Sequence, residues 1–335
     1  MKLVLWLASM TILGVIVAFI GAASGTASSS LIWHMPTAYP ISNYQTQNAV
    51  SFAELVEECT DGGLRIIIHA GGSLFKGHQI KRVVRTGQVP IGERLLSAHS
   101  NENRLYAVDS IPFVASSFAD ARRLWTVARP AVEALLASEG LVLLYSVIWP
   151  PQGIYFRNEV TTVSEIRGMR FRAYNATTAR VAELAGMIPV QIEAAEMSQA
   201  LATGVVSSFM ASGSSGYDSK VWEHVQYFYD AKAWLPRNSV FANRTEFDAL
   251  PGKYQVCIKS AAASAEENGN IKATEMSVWY IEQLIKNGMT VIPPGAQFQK
   301  ELANIGLTLA SEWSEETGKI GRDILDAYRA ASEDN

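Results

Sequence analysis

Three arginines lie close together in one short stretch of the sequence, RGMRFRAYN at residues 167–175. They are interspersed with the apolar Met169 and Phe171, and such alternation is typical of a β-strand. In a strand, Arg170 and Arg172 point to one face while the apolar side chains point to the other. An arginine at the end of a strand can project into a ligand cleft, where its guanidinium can donate to both oxygens of a carboxylate. A solvated or structurally paired arginine is the alternative interpretation of Arg172.

Other polar and aromatic side chains also follow the ends of predicted strands, which is where ligands bind in open α/β sheets. The candidate ligand contacts beside Arg172 are His34, Glu93, Trp149, Asn175, Ser212 and Trp234. Aromatic walls with few polar groups suit a small organic ligand. An acidic Glu93 facing the cleft would repel a second carboxylate and attract an amine or hydroxyl. Its presence favours a monocarboxylate with hydroxyl or amino groups over a dicarboxylate, and an aromatic or branched monocarboxylate is also compatible.

The sequence lacks the common catalytic motifs. It contains no GxSxG, GxxxxGK[ST] or HExxH, and its five histidines are scattered. The serine-rich run SSFMASGSSG has no identifiable base, so we expect a Gly/Ser loop at 212–216 rather than a nucleophile. Neither Cys59 nor Cys257 has a His or Cys at metal-ligand spacing, and no cofactor or metal is predicted. Because the two cysteines lie far apart in sequence, we expect buried free thiols, with a disulfide as the alternative.

The elements that must position these residues alternate between strands and helices, which predicts parallel sheets flanked by helices. Strands are predicted at LIWHM, LRIIIHA, QVPIGE, LVLLYSVIWP, IYFRN, MRFRAY, IPVQI and VSSFMAS, and the chain is mostly helical from Phe247 onwards. Pro150 and Pro151 suggest one crossing between two lobes, and the extended stretch at 235–244 suggests a return. We therefore expect an α/β fold of two lobes with a ligand cleft between them. The predicted first lobe is 31–149 plus about 238–277, and the second is 150–237 plus about 278–335.

Composition and the N-terminus limit the class of protein. The chain has 335 residues and a net charge of −4. This charge argues against a nucleic-acid-binding protein, which needs a basic face to neutralise phosphates. Residues 1–27 have one cation, Lys2, then an apolar run and small residues, which is typical of a secretory signal peptide. Cleavage after Ala23 or Ala27 would release a periplasmic protein. An uncleaved membrane anchor is the alternative, since the apolar run could just span a bilayer.

Three segments in order, SEIRGMRFRAYN, AGMIPV and EMSQALATGVVSS, carry a resemblance to a known family. They resemble the DctP-type substrate-binding proteins of tripartite ATP-independent periplasmic (TRAP) transporters, whose corresponding patterns are roughly DLKGLKIRVP, GA-P-V and E-x-x-x-AL-x-TGVVDG. The segments FAELVEECTDGGLRI, VRTGQVPIG, SIPFVASSFADARRLW and FDALP are also similar to the family. The likeness thus extends over nearly all of the chain after the predicted signal peptide.

The resemblance implies a periplasmic receptor that closes two lobes on a small organic acid and delivers it to a TRAP membrane permease. It also implies that Arg172, which ends the segment corresponding to KIR, binds the ligand carboxylate. The chain departs from the family where VDG becomes Val206-Ser207-Ser208, so a polar contact from this segment is missing or moved to Ser212. We expect a monomer without catalytic activity. The alternatives are a receptor for a small amine, held by an aromatic cage and Glu93, and an exported enzyme that uses the same cleft.

Overall fold

The computed structural model describes residues 30–333, within which strands and helices alternate. The signal peptide predicted at 1–27 lies outside the described residues. The strands are β1 (Leu31–Pro36), β2 (Leu64–His69), β3 (Ile91–Leu95), β4 (Leu141–Ile148), β5 (Gln152–Phe156), β6 (Arg170–Ala173), β7 (Ile188–Gln191), β8 (Ser208–Ser212), β9 (Tyr227–Tyr229), β10 (Arg237–Asn243) and β11 (Thr290–Ile292). The helices are α1 (Tyr44–Cys59), α2 (Ile80–Arg85), α3 (Phe118–Ser138), α4 (Ala176–Leu184), α5 (Met197–Ala202), α6 (Gly213–Asp218), α7 (Arg244–Asp248), α8 (Gly252–Lys286) and α9 (Ala296–Glu333).

The first lobe is built on two small sheets. Strands β1 and β2 pair in parallel, with α1 as the connection between them. Strand β10 pairs antiparallel with both β3 and β4, so the chain returns to the first lobe after it has formed most of the second. Helix α1 packs through Ala49, Phe52, Ala53 and Val56, whose spacing of three and four residues forms one apolar face.

The second lobe is built on a six-stranded sheet with the order β11-β9-β5-β8-β6-β7. Strand β6 pairs in parallel with β7 and β8, whereas β5 pairs antiparallel with β8 and β9. The register places Arg172, the third residue of β6, beside Val190 of the edge strand β7 and Phe209 of β8. The carboxyl ends of β6 and β7 therefore lie together at the edge where their loops begin.

The two long C-terminal helices pack against both lobes. Helix α8 contacts α1 and β4 of the first lobe and α6 and β11 of the second. Helix α9 contacts α3 and α4, and it is interrupted at Gly318, whose φ of 63° is not helical. Within residues 30–333, every helix is too short or too polar to cross a bilayer. The two-lobe α/β fold is confirmed, while the residue boundaries given above for the lobes stay a prediction.

Two predicted segments differ from the structure. The strand expected at QVPIGE begins only at Ile91, because Pro90 has no backbone N–H to donate to the sheet. The Gly/Ser loop expected at 212–216 is instead the start of helix α6. The Ser212 hydroxyl accepts a hydrogen bond from the backbone N–H of Ser215 and so caps this helix.

The expectation of free thiols was wrong, because Cys59 and Cys257 form a disulfide. Cys59 is the last residue of α1 and Cys257 lies in the second turn of α8. These two helices pack side by side, which brings the two Cα atoms to 5.6 Å, within the range that a disulfide spans. The contact joins residues 198 positions apart, and local sequence patterns carry no information about such a pairing. A disulfide is consistent with an oxidising compartment outside the cytoplasm.

Candidate functional site

A cavity of about 270 Å³ lies between the two lobes, where the loops leave the sheets. This volume is close to the lower end of small-molecule sites, which span roughly 300–1,000 Å³. The aromatic side chains of its wall are Tyr39, Trp149 and Tyr174, and its charged side chains are Arg94, Arg172, Glu193 and Asp218. Both lobes contribute, so a ligand in this cavity would contact both at once.

Arg172 is a buried cation on the wall of this cavity. It is only 5% exposed, and its Nε donates a 2.9 Å hydrogen bond to the main-chain oxygen of Ile192, just beyond β7. Among the described residues, neither of its Nη groups has a hydrogen-bond partner. Burial lowers the pKa of Arg172, as expected when a charge is removed from water. An arginine nevertheless remains protonated at neutral pH, so the cavity contains a desolvated cation with unused donors.

The ring of Tyr174 fixes Arg172 from the side. The guanidinium carbon of Arg172 lies 5.0 Å from the centroid of this ring, a cation–π contact. The Tyr174 hydroxyl donates to Oε1 of Gln152 and accepts from Nε1 of Trp234. Trp234 itself is fully buried. It therefore lies behind the cavity wall and supports Tyr174, rather than lining the cavity.

Trp149 forms the aromatic wall of the first lobe. Its ring centroid lies 4.8 Å from that of Tyr39, and both side chains line the cavity. The indole Nε1 donates a 2.8 Å hydrogen bond to Oδ1 of Asn238, and Nδ2 of Asn238 donates to Oε1 of Glu93. Asn238 thus lies between Trp149 and Glu93, so Glu93 is behind the cavity wall. Burial raises the pKa of Glu93 to about 7.

The remaining predicted contacts lie away from the cavity wall. Asn175 caps α4, and its Nδ2 donates to the hydroxyl of Ser97 in the first lobe. Ser212 caps α6. His34 is exposed on β1, with its Nδ1 2.9 Å from Nε2 of His69. Of the seven predicted site residues, the structure thus places Arg172 and Trp149 on the cavity wall.

Three charged wall residues were not among the predicted contacts. Arg94 follows Glu93 in β3, and its Nη2 lies 3.1 Å from Oε1 of Glu193 across the cleft. Asp218 ends α6 and accepts a 2.6 Å hydrogen bond from Nδ2 of Asn43 in the first lobe. Burial raises the pKa of Asp218 to about 6. A sequence signal existed for Glu193, since it follows the end of predicted strand IPVQI, but Asp218 lay beyond the serine-rich segment interpreted as a loop.

The side chains of the cavity suit organic ligands rather than metals. Residues 30–333 hold no cluster of three or more His, Cys, Asp or Glu side chains placed to bind a metal ion. Two α/β lobes around a cavity with aromatic walls and an arginine with unused donors define a solute-binding receptor of the periplasmic type. Residues 37–316 match the bacterial extracellular solute-binding proteins, family 7 (DctP), and the chain belongs to this family.

Solved structures of high similarity are TRAP solute-binding proteins. One of them comes from a marine metagenome and is described as specific for pyroglutamate. It is 47% identical to this chain with a TM-score of 0.89, and the match covers 90% of this chain and 99% of the metagenome protein. A second is DctP6 of Bordetella pertussis, a receptor that binds pyroglutamic acid. It is 43% identical to this chain with a TM-score of 0.88, and the match covers 89% of this chain and 99% of DctP6. The chain is therefore a periplasmic, DctP-type substrate-binding protein of a TRAP transporter.

A more distant relative is the monocarboxylate 2-oxoacid-binding periplasmic protein of Nostoc sp. strain PCC 7120. It is 22% identical over 293 residues, which are 84% of this chain and 78% of the relative. The named ligand class of this relative is a carboxylate, like the ligands of the two closer structures.

Proposed function

We propose that this chain binds a small organic monocarboxylate between its lobes and delivers it to a TRAP membrane permease. The observation that carries the proposal is Arg172, a buried cation on the cavity wall whose Nη groups have no hydrogen-bond partner among the described residues. A carboxylate is the ligand group that matches the parallel N–H donors of a guanidinium. A bound carboxylate would pair these donors with an opposite charge, and such charge-assisted hydrogen bonds are stronger than neutral ones.

Pyroglutamate is the ligand that we propose within this class. The support is that the solved relatives at 43% and 47% identity bind it. Its lactam carries one N–H donor and one C=O acceptor beside the carboxylate. The Asp218 carboxylate can accept from the lactam N–H, and the Tyr39 hydroxyl can donate to the lactam oxygen. Burial raises the pKa of Tyr39 to about 12, which keeps this hydroxyl protonated as a donor.

Lobe closure is the proposed mechanism of delivery. The polar contacts that join the lobes around the cavity include Arg94 with Glu193, Asn43 with Asp218, and Ser97 with Asn175. A ligand that contacts both lobes would stabilise this closed arrangement over an open one. The permease would then recognise the closed form as the loaded receptor.

Neither alternative function has an observation in its favour. The amine cage needs Glu93 and Trp234 in the cavity, and both lie behind its wall. The enzyme alternative calls for a reactive Ser or Cys beside a His in the cleft, and the described residues that line the cavity include neither His nor Cys. The family is one of solute-binding proteins, which supports a receptor without catalytic activity.

Calorimetric titration of the purified protein with pyroglutamate, L-proline and a quaternary amine such as glycine betaine tests the proposal. Pyroglutamate should bind tightly, whereas L-proline, which lacks the lactam oxygen and carries a charged amine, should bind much more weakly. Thermal shifts give an independent readout, since a ligand at 100 times its dissociation constant stabilises by about 2.7 kcal/mol. Binding of the amine but of no carboxylate would contradict the proposed ligand class.

A further inference from the structure

The cavity contains two arginines in different electrostatic states. The Nη groups of Arg172 have no partner among the described residues, whereas Nη2 of Arg94 lies 3.1 Å from Oε1 of Glu193. Both side chains of this second pair are largely buried, with Arg94 at 5% and Glu193 at 17% exposure. All three residues line the same cavity. Among the described residues, Arg172 therefore has no ion-pair partner, whereas Arg94 is paired with Glu193.

The pair of Arg94 and Glu193 is closely packed rather than loosely placed at the surface. Gly77 lies against it, and a Cβ atom at that position would lie 2.4 Å from Nη1 of Arg94 and 2.6 Å from Oε2 of Glu193. On the solvent side, Nδ1 of the exposed His78 lies 3.6 Å from Oε1 of Glu193. The backbone of the first lobe thus covers one side of the pair, and partial burial strengthens the charge interaction.

This arrangement bears on how many carboxylates a ligand can carry. Without Glu193, Arg94 would present a second cation to the cavity, and a ligand with a carboxylate at each end could bridge the two arginines. With Glu193 in place, a second ligand carboxylate would meet a buried anion that already occupies Arg94. A like charge in a desolvated site costs binding free energy, and such repulsion is a common source of specificity.

We infer that Glu193, held by Arg94, is the residue that restricts this receptor to monocarboxylates. The inference rests on the proposed function, because it requires that Arg172 bind the first carboxylate. A cyclic amide such as pyroglutamate carries no charge beyond its single carboxylate, so it brings no second anion toward Glu193. An open-chain dicarboxylate of the same carbon number, such as glutarate, presents a charge there instead.

Calorimetric titration of Glu193→Gln with pyroglutamate and with glutarate tests the inference. The glutamine keeps the size of the side chain but removes its charge, so Arg94 becomes available to a ligand. Glutarate affinity should rise by at least about tenfold relative to the wild type. Pyroglutamate binding should persist, which also shows that the variant is folded. Retained pyroglutamate binding with no gain for glutarate would overturn the role of Glu193 and leave the proposed function intact.

Arg94→Gln and the double variant Arg94→Gln/Glu193→Gln complete the test. The single Arg94 variant leaves Glu193 unpaired beside the ligand, so pyroglutamate should bind at least about tenfold more weakly. The double variant should recover much of that loss and should not show the gain in glutarate affinity, because Arg94 no longer offers a second cation. Unchanged pyroglutamate affinity in Arg94→Gln would contradict the inference even if Glu193→Gln failed to fold. If the wild type bound neither pyroglutamate nor any other monocarboxylate, the proposed function itself would fail.

Discussion

The Nε of Arg172 donates a 2.9 Å hydrogen bond to the main-chain oxygen of Ile192. This bond uses the donor on the inner edge of the guanidinium and leaves the two Nη groups for the cavity. Strand β6 supplies Arg172 and the segment after β7 supplies Ile192, so the parallel pairing of two neighbouring strands sets the orientation of the arginine. A lysine could not make both the bond to Ile192 and a forked contact with a ligand.

Replacing Arg172 is therefore expected to remove carboxylate binding. Arg172→Ala should weaken pyroglutamate binding by about 2–5 kcal/mol, the usual cost of removing one partner of a buried charge pair. Arg172→Lys keeps the charge but loses the forked geometry, and it should still weaken binding by about tenfold or more. Arg170→Ala is the matched control, since Arg170 is exposed at the start of the same strand and should leave affinity unchanged. Titration calorimetry at constant pH measures all three, and wild-type affinity in Arg172→Ala would exclude the proposed site.

Asp218 should make pyroglutamate binding sensitive to pH. Burial raises its pKa to about 6, against the opposing hydrogen bond from Asn43. If its carboxylate accepts from the lactam N–H, protonation of Asp218 removes this acceptor, so affinity should fall as the pH drops from 8 to 5. A ligand α-carboxyl stays ionised in this range, since its pKa is near 3.5. Asp218→Asn should bind more weakly at pH 8 and should lose most of the pH dependence. A dissociation constant that stays the same from pH 8 to pH 5 in the wild type would contradict this role.

The sequence was sufficient to predict the fold but only part of the site. Strand alternation and the resemblance led to Arg172, and the position of Trp149 at a strand end led to a second residue of the cavity wall. Glu93 lies in the middle of β3 and Trp234 lies in the segment before β10, and both are behind the wall. Glu93 holds Trp149 through Asn238, and Trp234 donates to the Tyr174 hydroxyl. Periodicity indicates which face of a strand a side chain occupies. It does not indicate whether the opposite lobe or another side chain covers that face.

Three charged residues of the cavity wall were not predicted from the sequence: Arg94, Glu193 and Asp218. Each is held by a contact that crosses the cleft or joins distant elements, with Arg94 and Glu193 99 positions apart and Asn43 and Asp218 175 apart. The disulfide between Cys59 and Cys257 is a third such contact. Long-range pairs of this kind depend on how the lobes and helices pack, and a single sequence carries no local pattern for them.

Glu93 should make the protein less stable as the pH rises toward neutrality. Its pKa is raised by burial from an ordinary value near 4.5 to about 7, so the folded state binds this proton more tightly than the unfolded state. The resulting stability is fully present below about pH 4.5 and is lost as the pH rises through 7, and its size is on the order of 3 kcal/mol. Glu93→Gln removes this contribution while it retains an acceptor for Asn238.

Chemical denaturation of the wild type and Glu93→Gln at several pH values checks this expectation. Asp109 and Asp218, whose pKa values burial also raises to about 6, are present in both proteins. The difference between the two pH profiles therefore isolates Glu93. The free energy of unfolding should fall more steeply between pH 5 and 8 in the wild type than in the variant. Parallel profiles would show that the buried carboxyl of Glu93 titrates normally.

The disulfide between Cys59 and Cys257 should stabilise the fold without affecting ligand binding. It closes a loop of 198 positions, and a long closed loop restricts the unfolded chain strongly, so its removal should cost about 2–5 kcal/mol. Neither cysteine lines the cavity, because the bridge joins the end of α1 to the second turn of α8. The double variant Cys59→Ser/Cys257→Ser should therefore unfold at a lower guanidinium concentration but bind pyroglutamate with nearly wild-type affinity. Unfolding of the wild type with dithiothreitol is the matched control, and it should move the midpoint toward that of the double variant. An unchanged midpoint in both experiments would show that the packing of α1 against α8 holds these helices together without the bridge.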